Sequence, residues 1–360
     1  MTLVSRNAER IKAILILVVV ADHNDWLRQF SPALFDPLTF HVLGFFLLSF
    51  TFGEKIWCYR FVLDRAVRYL IPFFWVLTAS SLAFGFMYKS KIGFIGHFEN
   101  WLLAALIGNA PFVKASSGLM MLWFMPCLFG LTCLLAYFDS LKSNWARKFA
   151  IVLAVAAHLS IPLLPSGPML WLPFGLAIAM DIFFLGIIWR KLLLLRLPRL
   201  WGPTISGIFI ATYGVLVSVP VHLEIATLSL AGITNPLVLF LQDISGIAGV
   251  LSVIWLVSIP KKALWLESFG KNSLLVYLLH PFVYVLVGKL LGSSYRMTLS
   301  PLKLLVIGCL STFFVAGLAY LITRFISHSR LLSEWLTPRS LALWPLAKIV
   351  GKAFPCRGKT

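Results

Sequence analysis

Residues 302–325 read LKLLVIGCLSTFFVAGLAYLITRF, a run charged only at Lys303 and Arg324. As a helix rising about 1.5 Å per residue it is about 36 Å long, enough to cross a ~30 Å hydrocarbon core. Outward from it, apolar runs of similar kind recur along the chain, near 11–29, 37–53, 66–88, 118–138, 149–165, 169–189, 203–222, 236–259 and 272–292. The expectation is an all-α, polytopic membrane protein of about ten transmembrane helices. Composition agrees. The chain is 60% hydrophobic and 12% charged, with a mean hydropathy of +0.91. Soluble domains stand near 45–50% and about 25%, and so apolar a chain has too little polar surface to meet water.

The net charge is +18, from 31 Lys and Arg against 13 Asp and Glu. In a soluble protein this would point to nucleic acid. Here the basic residues sit in short runs between apolar stretches, which reads as membrane topology and contact with anionic membrane lipids, with no nucleic-acid partner. Arg6, Arg10 and Lys12, then Lys55, Arg60 and Arg65, then Lys142, Arg147 and Lys148, then Arg190, Lys191, Arg196 and Arg199 alternate with connections poor in positive charge. The pattern predicts both termini in the cytoplasm. Residues 1–330 are expected to form the transmembrane domain and 331–360 a basic cytoplasmic tail. The stretch 92–117 interrupts the alternation and reads as an interfacial or re-entrant helix on the outer side. The first apolar run holds Asp22, His23 and Asp25 and lacks a small-residue cleavage site, so it does not read as a removable signal. The five cysteines show no metal or redox spacing, and no metal is expected. No phosphate loop, dinucleotide fingerprint or nucleophile elbow is present.

Titratable groups inside predicted spans are the functional signal, because in hydrocarbon they cost several kcal/mol and usually face a cavity or a partner. They are Asp22, His23 and Asp25 in the first span, His41 in the second, Asp181 in the sixth, Asp243 in the eighth and His280 in the ninth. Lys12 and His23 are eleven positions apart, close to three helical turns, so they share a face. Arg65 and Arg68 share another at the start of the third span, one turn before Pro72. A histidine can serve as general base toward a hydroxyl, and arginine or lysine can hold phosphates. Together they describe a polar interior reached from the cytoplasm. Acyl transfer suits it; so does a transporter or flippase for a lipid-linked sugar or acyl donor.

The order of motifs resembles the membrane-bound acyltransferase family 3, which includes polysaccharide O-acetylases. Ile11–His23 is similar to that family's opening helix: a basic residue, ten apolar positions, a histidine. Lys12 stands where arginine is usual, as in the branch resembling fucose 4-O-acetylases. FHVLGFFLLSF at 40–50 resembles the second helix, with Phe50 replacing a glycine. RAVRYLIP at 65–72, LWFM at 122–125, FLG at 184–186 and GKNSLLVYLLHP at 270–281 follow in the family's order.

The resemblance implies a bacterial inner-membrane O-acyltransferase that uses cytoplasmic acyl-CoA, typically acetyl-CoA, as co-substrate and holds no permanent cofactor. The implied acceptor is a hydroxyl of a glycan or lipid-linked oligosaccharide, and other polysaccharide-assembly proteins are possible partners. His23, with Asp22, is expected to be catalytic. Lys12, Arg65 and Arg68 are expected to hold the donor, and His41, Trp123, Ser273, Tyr277 and His280 to line or support the acceptor path.

Overall fold

The computed structural model describes residues 3–30, 44–48, 57–88, 93–108, 110–160, 264–291 and 300–336, with isolated positions 186, 207 and 253. Every regular element among them is helical. The chain forms two compact units. The first comprises Met1–Leu48, Trp189–Val221 and Leu237–Ser327; the second comprises Ser49–Ile188, His222–Pro236 and His328–Thr360.

In the first unit, α1 (Leu3–Asp22) is the interior helix. Ala13, Leu15, Ile16, Val19 and Val20 are each at most 1% exposed. It packs against α8 (Leu264–Lys271) and α9 (Ser273–Leu291). The approach to α8 is close enough that a Cβ on Gly270 would overlap the Glu9 carbonyl oxygen, so this contact admits only glycine. A 77° bend separates α8 from α9. Asn272 makes the joint: its amide donates to Ser268 O at 2.8 Å, and its own carbonyl accepts Val276 N–H at 3.1 Å. One asparagine thereby serves the end of one helix and the start of the next.

The last long helix, α10 (Pro301–His328), is built inside out compared with a soluble helix. Gly308, Ser311, Thr312, Ala316, Ala319 and Thr323 are buried, while Leu310, Phe313, Phe314, Leu321 and Phe325 are exposed. Small and hydroxyl residues toward protein and large apolar ones outward are the pattern of a helix in lipid.

The second unit begins with α3 (Tyr59–Tyr88), followed by α4 (Gly93–Ile107) and α5 (Ala110–Ser117). Gly108 and Gly118 end α4 and α5 with φ of 68° and 72°, a left-handed conformation that favours glycine. A 3-10 turn (Met120–Trp123) leads into α6 (Phe124–Ser140); α7 (Asn144–Ser160) and α11 (Arg330–Leu336) are the other described helices of the unit. Three polar contacts join α4 to α3: His97 Nε2–H donates to Ser81 O at 2.9 Å and lies 3.0 Å from Ser81 Oγ, and Trp101 Nε1–H donates to Thr78 Oγ1 at 3.2 Å.

By length and composition, three described helical stretches can cross a membrane: Tyr59–Gly85, Met121–Ser140 and Pro301–His328. The bent pair α8–α9 is a fourth candidate. The chain is a helical membrane protein. The expected span at 11–29 is not one helix: α1 stops at Asp22, and a separate short α2 (Asp25–Phe30) follows. The third span begins seven residues earlier than expected. Where the fifth was expected, α7 runs from Asn144 to Ser160, and residues 161–165 lie outside the described residues. The 92–117 stretch is two short helices rather than one. The expected spans at 169–189, 203–222 and 236–259 lie outside the described residues, apart from the isolated positions.

Candidate active site

The break after α1 determines where His23 stands. A helix leaves its last carbonyls without intrahelical donors, and here those of α1 are taken up one by one. Val19 O accepts His23 N–H at 3.1 Å and His23 Nδ1–H at 2.8 Å. Val20 O accepts the Tyr284 hydroxyl at 2.7 Å, and Ala21 O accepts Asn24 N–H at 3.0 Å. A carbonyl only accepts, so Nδ1 carries the proton. The neutral ring then has its lone pair on Nε2. The His23 side chain is 34% exposed, so that nitrogen belongs to an accessible ring.

His280 stands beside it on α9. The two ring centroids are 5.3 Å apart, edge to face at 65°. His280 is 0% exposed. Its Nδ1–H donates to Tyr277 O at 2.7 Å, which fixes the same tautomer. Tyr277 and Tyr284 flank its ring at centroid distances of 6.0 and 6.3 Å.

Asp22 is buried at the end of α1, the electrically negative end of the helix. Arg28 Nη2 meets its Oδ1 at 3.2 Å, and His23 Nδ1 lies 3.9 Å from its Oδ2. The guanidinium on α2 offsets the unfavourable position of the carboxylate.

Asn24, fully buried, holds the break open. Its Oδ1 accepts Trp26 N–H at 3.0 Å and Leu27 N–H at 3.4 Å, while its backbone carbonyl accepts Arg28 N–H. It is the N-cap of α2. Its Nδ2 donates to α10 through Gly308 O at 2.8 Å, Ser311 Oγ at 2.9 Å and Thr312 Oγ1 at 2.8 Å. Gly308 leaves room for this contact, because a Cβ there would strike the Leu27 side chain.

At the other end of α1, Arg10 gives Nε at 3.1 Å and Nη2 at 2.7 Å to Glu267 Oε1, both residues buried. Charge counting treats Arg10 as a topology marker; here it is an internal tie from α1 to α8. Lys12 pairs with Glu9 at 2.7 Å.

In the second unit, Arg65 is half-buried over the Phe61 ring, 5.0 Å from its centroid, and the exposed Arg68 lies over Tyr69 at 5.7 Å. Arg65 Nε is buried with no hydrogen-bond partner among the described residues. Trp123 is buried in the 3-10 turn, edge-on to Phe124.

Of the residues expected in the site, Asp22, His23, Tyr277 and His280 come together in the first unit, and Ser273 begins the same helix as the last two. Lys12 lies on α1, three turns before His23. Arg65, Arg68 and Trp123 belong to the second unit. His41, Asp181 and Asp243 lie outside the described residues. Among the described residues no cluster of three metal-ligating side chains occurs. Asn24, Tyr284 and Glu267 were not singled out in the sequence. The asparagine at least carried a signal, since Asn followed by Asp is a helix start.

The fold is that of a helical membrane protein, with titratable and polar side chains gathered at the end of α1. The chain belongs to the acyltransferase-3 family: the family model, described as an acyltransferase domain, matches residues 7–323. It is an acyltransferase. No curated protein and no solved structure matches it.

Proposed function

We propose that this acyltransferase moves an acetyl group from cytoplasmic acetyl-CoA to a hydroxyl of an exopolysaccharide, capsule, O-antigen or lipid-linked precursor, working in the bacterial inner membrane with both termini cytoplasmic. The observation that carries the reading is His23, an accessible imidazole whose Nδ1–H is committed to Val19 O.

His23 Nε2 takes the proton of the acceptor hydroxyl as the oxygen attacks the thioester carbonyl. The C–O bond forms, the C–S bond breaks, and the leaving thiolate receives the proton back from Nε2. Asp22 Oδ2 lies 3.9 Å from Nδ1 and backs the ring on the side away from Nε2. Arg65 and Arg68, with Lys12, hold the phosphates of the donor; planar guanidinium groups suit that task. His41, Trp123, Ser273, Tyr277 and His280 line or support the acceptor path.

The test is acetyl content of the cell's surface polysaccharide, by mass analysis, with His23→Ala in place of the wild type and its membrane abundance checked. Loss of acetylation at normal abundance is expected. Wild-type acetylation by an inserted His23→Ala protein removes His23 from the chemistry. Unchanged acetyl content in cells lacking the gene overturns the assignment of acetyl and of this polysaccharide, and altered export beside it favours a part in moving a lipid-linked sugar.

A further inference from the structure

Pro281 lies in the interior of α9. A proline has no backbone N–H, so the carbonyl four residues earlier loses its helical donor. That carbonyl belongs to Tyr277. In hydrocarbon an orphaned carbonyl costs several kcal/mol, and a nearby side chain usually takes it up. Here the donor is His280 Nδ1, at 2.7 Å. Its contact to Val276 O is longer, at 3.3 Å.

The consequence is chemical as well as structural. A neutral imidazole buried in a helix can carry its proton on either nitrogen. The vacancy left by Pro281 offers a strong acceptor on the Nδ1 side. It therefore selects the Nδ1–H tautomer and fixes the ring plane, and this is the ring that stands edge to face with His23 at 5.3 Å. Tyr284 ties the same stretch of α9 to the end of α1 through Val20 O.

We propose that His280 and Pro281 form a positioning device for His23: Pro281 frees the Tyr277 carbonyl, that carbonyl orients the His280 ring, and the oriented ring holds His23 in its working geometry. The inference rests on His23 acting in the transfer, and its test separates the two.

Pro281→Ala restores the missing N–H, which competes with His280 for Tyr277 O. Alanine also favours helix over proline, so the variant keeps its fold. Membrane vesicles from the producing cells receive labelled acetyl-CoA, and label in the saccharide fraction is followed. Pro281→Ala is expected to lower turnover roughly tenfold, within the range by which small misplacements slow catalysis, with the KM for acetyl-CoA unchanged. His280→Asn keeps an N–H near the Nδ1 position but removes the ring facing His23, so it is expected to lower turnover further, again at unchanged KM. In protein carrying ¹⁵N-labelled histidine, the His280 nitrogen shifts should report a single Nδ1–H tautomer in the wild type and a mixture in Pro281→Ala.

Wild-type turnover in both variants, or an unchanged tautomer in Pro281→Ala, overturns the device while leaving the role of His23 intact. Wild-type turnover in His23→Ala removes that role instead.

Discussion

In the first unit Arg10 gives two N–H donors to one carboxylate oxygen of Glu267, deep between α1 and α8. In the second, Arg65 and Arg68 lie over the rings of Phe61 and Tyr69, with no carboxylate ion-paired to either among the described residues. The first arrangement consumes the cation. The guanidinium and the carboxylate neutralise each other, and what remains is a fixed distance between two helices. The second keeps it. An aromatic face orients a guanidinium and lowers its desolvation cost without occupying its N–H edge, so an incoming anion still finds donors. Sequence alone shows the same residue type in both places, and only the partner separates a charge that is neutralised from one that is not.

Breaking the tie should have the largest effect. Glu267→Ala leaves a buried guanidinium uncompensated, at a cost of about 3–5 kcal/mol. The expected result is a steep fall in membrane abundance and thermal stability. The double change Arg10→Met with Glu267→Leu should recover most of it, because it removes both charges at once; thermal unfolding in detergent measures both variants. Asn24→Ala is expected to cost about 2 kcal/mol, from a lost helix cap and lost donation to α10. Because the break after α1 sets His23 on its carbonyl, acetylation should fall more than stability does.

The proposed role of Arg65 in holding the donor predicts a kinetic effect instead. Arg65→Lys keeps the charge but loses the planar fork, and the KM for acetyl-CoA should rise about tenfold with the protein still inserted. A Lys variant with wild-type KM would place Arg65 among the topology markers. The smallest effect belongs to Arg330→Ala: Arg330 pairs with Glu334 at 2.8 Å on an exposed surface, and such pairs contribute little. Unfolding temperature and acetylation should both stay at wild-type values.

The helical membrane class was legible from long apolar runs such as 302–325, because hydrocarbon admits few other backbones. The cluster of Asp22, His23 and His280 was legible too, since titratable groups stand out against Leu, Ile and Val. What stayed hidden were relations between distant positions. Arg10 and Glu267 are 257 residues apart, and nothing local to either marks the other. Gly270 was visible as part of a motif, but its reason, the Glu9 carbonyl against it, exists only once α1 and α8 pack. The break at Asn24 was masked by its surroundings: Trp26 and Leu27 continue the apolar run, so hydrophobicity read straight through a cap. Cys127 and Cys133, free of any spacing signal, are free and buried in α6.

The inside-out surface of α10 also bears on how the helix meets a bilayer. Its exposed apolar side chains run from Leu302 to Phe325, about 35 Å at the helical rise of 1.5 Å per residue. That is longer than a hydrocarbon slab of ~30 Å is thick, and such a helix fits by tilting, kinking or locally thickening the bilayer. Because Asn24 donates to α10 at Gly308, Ser311 and Thr312, the segment that carries His23 is fastened to the helix with the lipid-type surface.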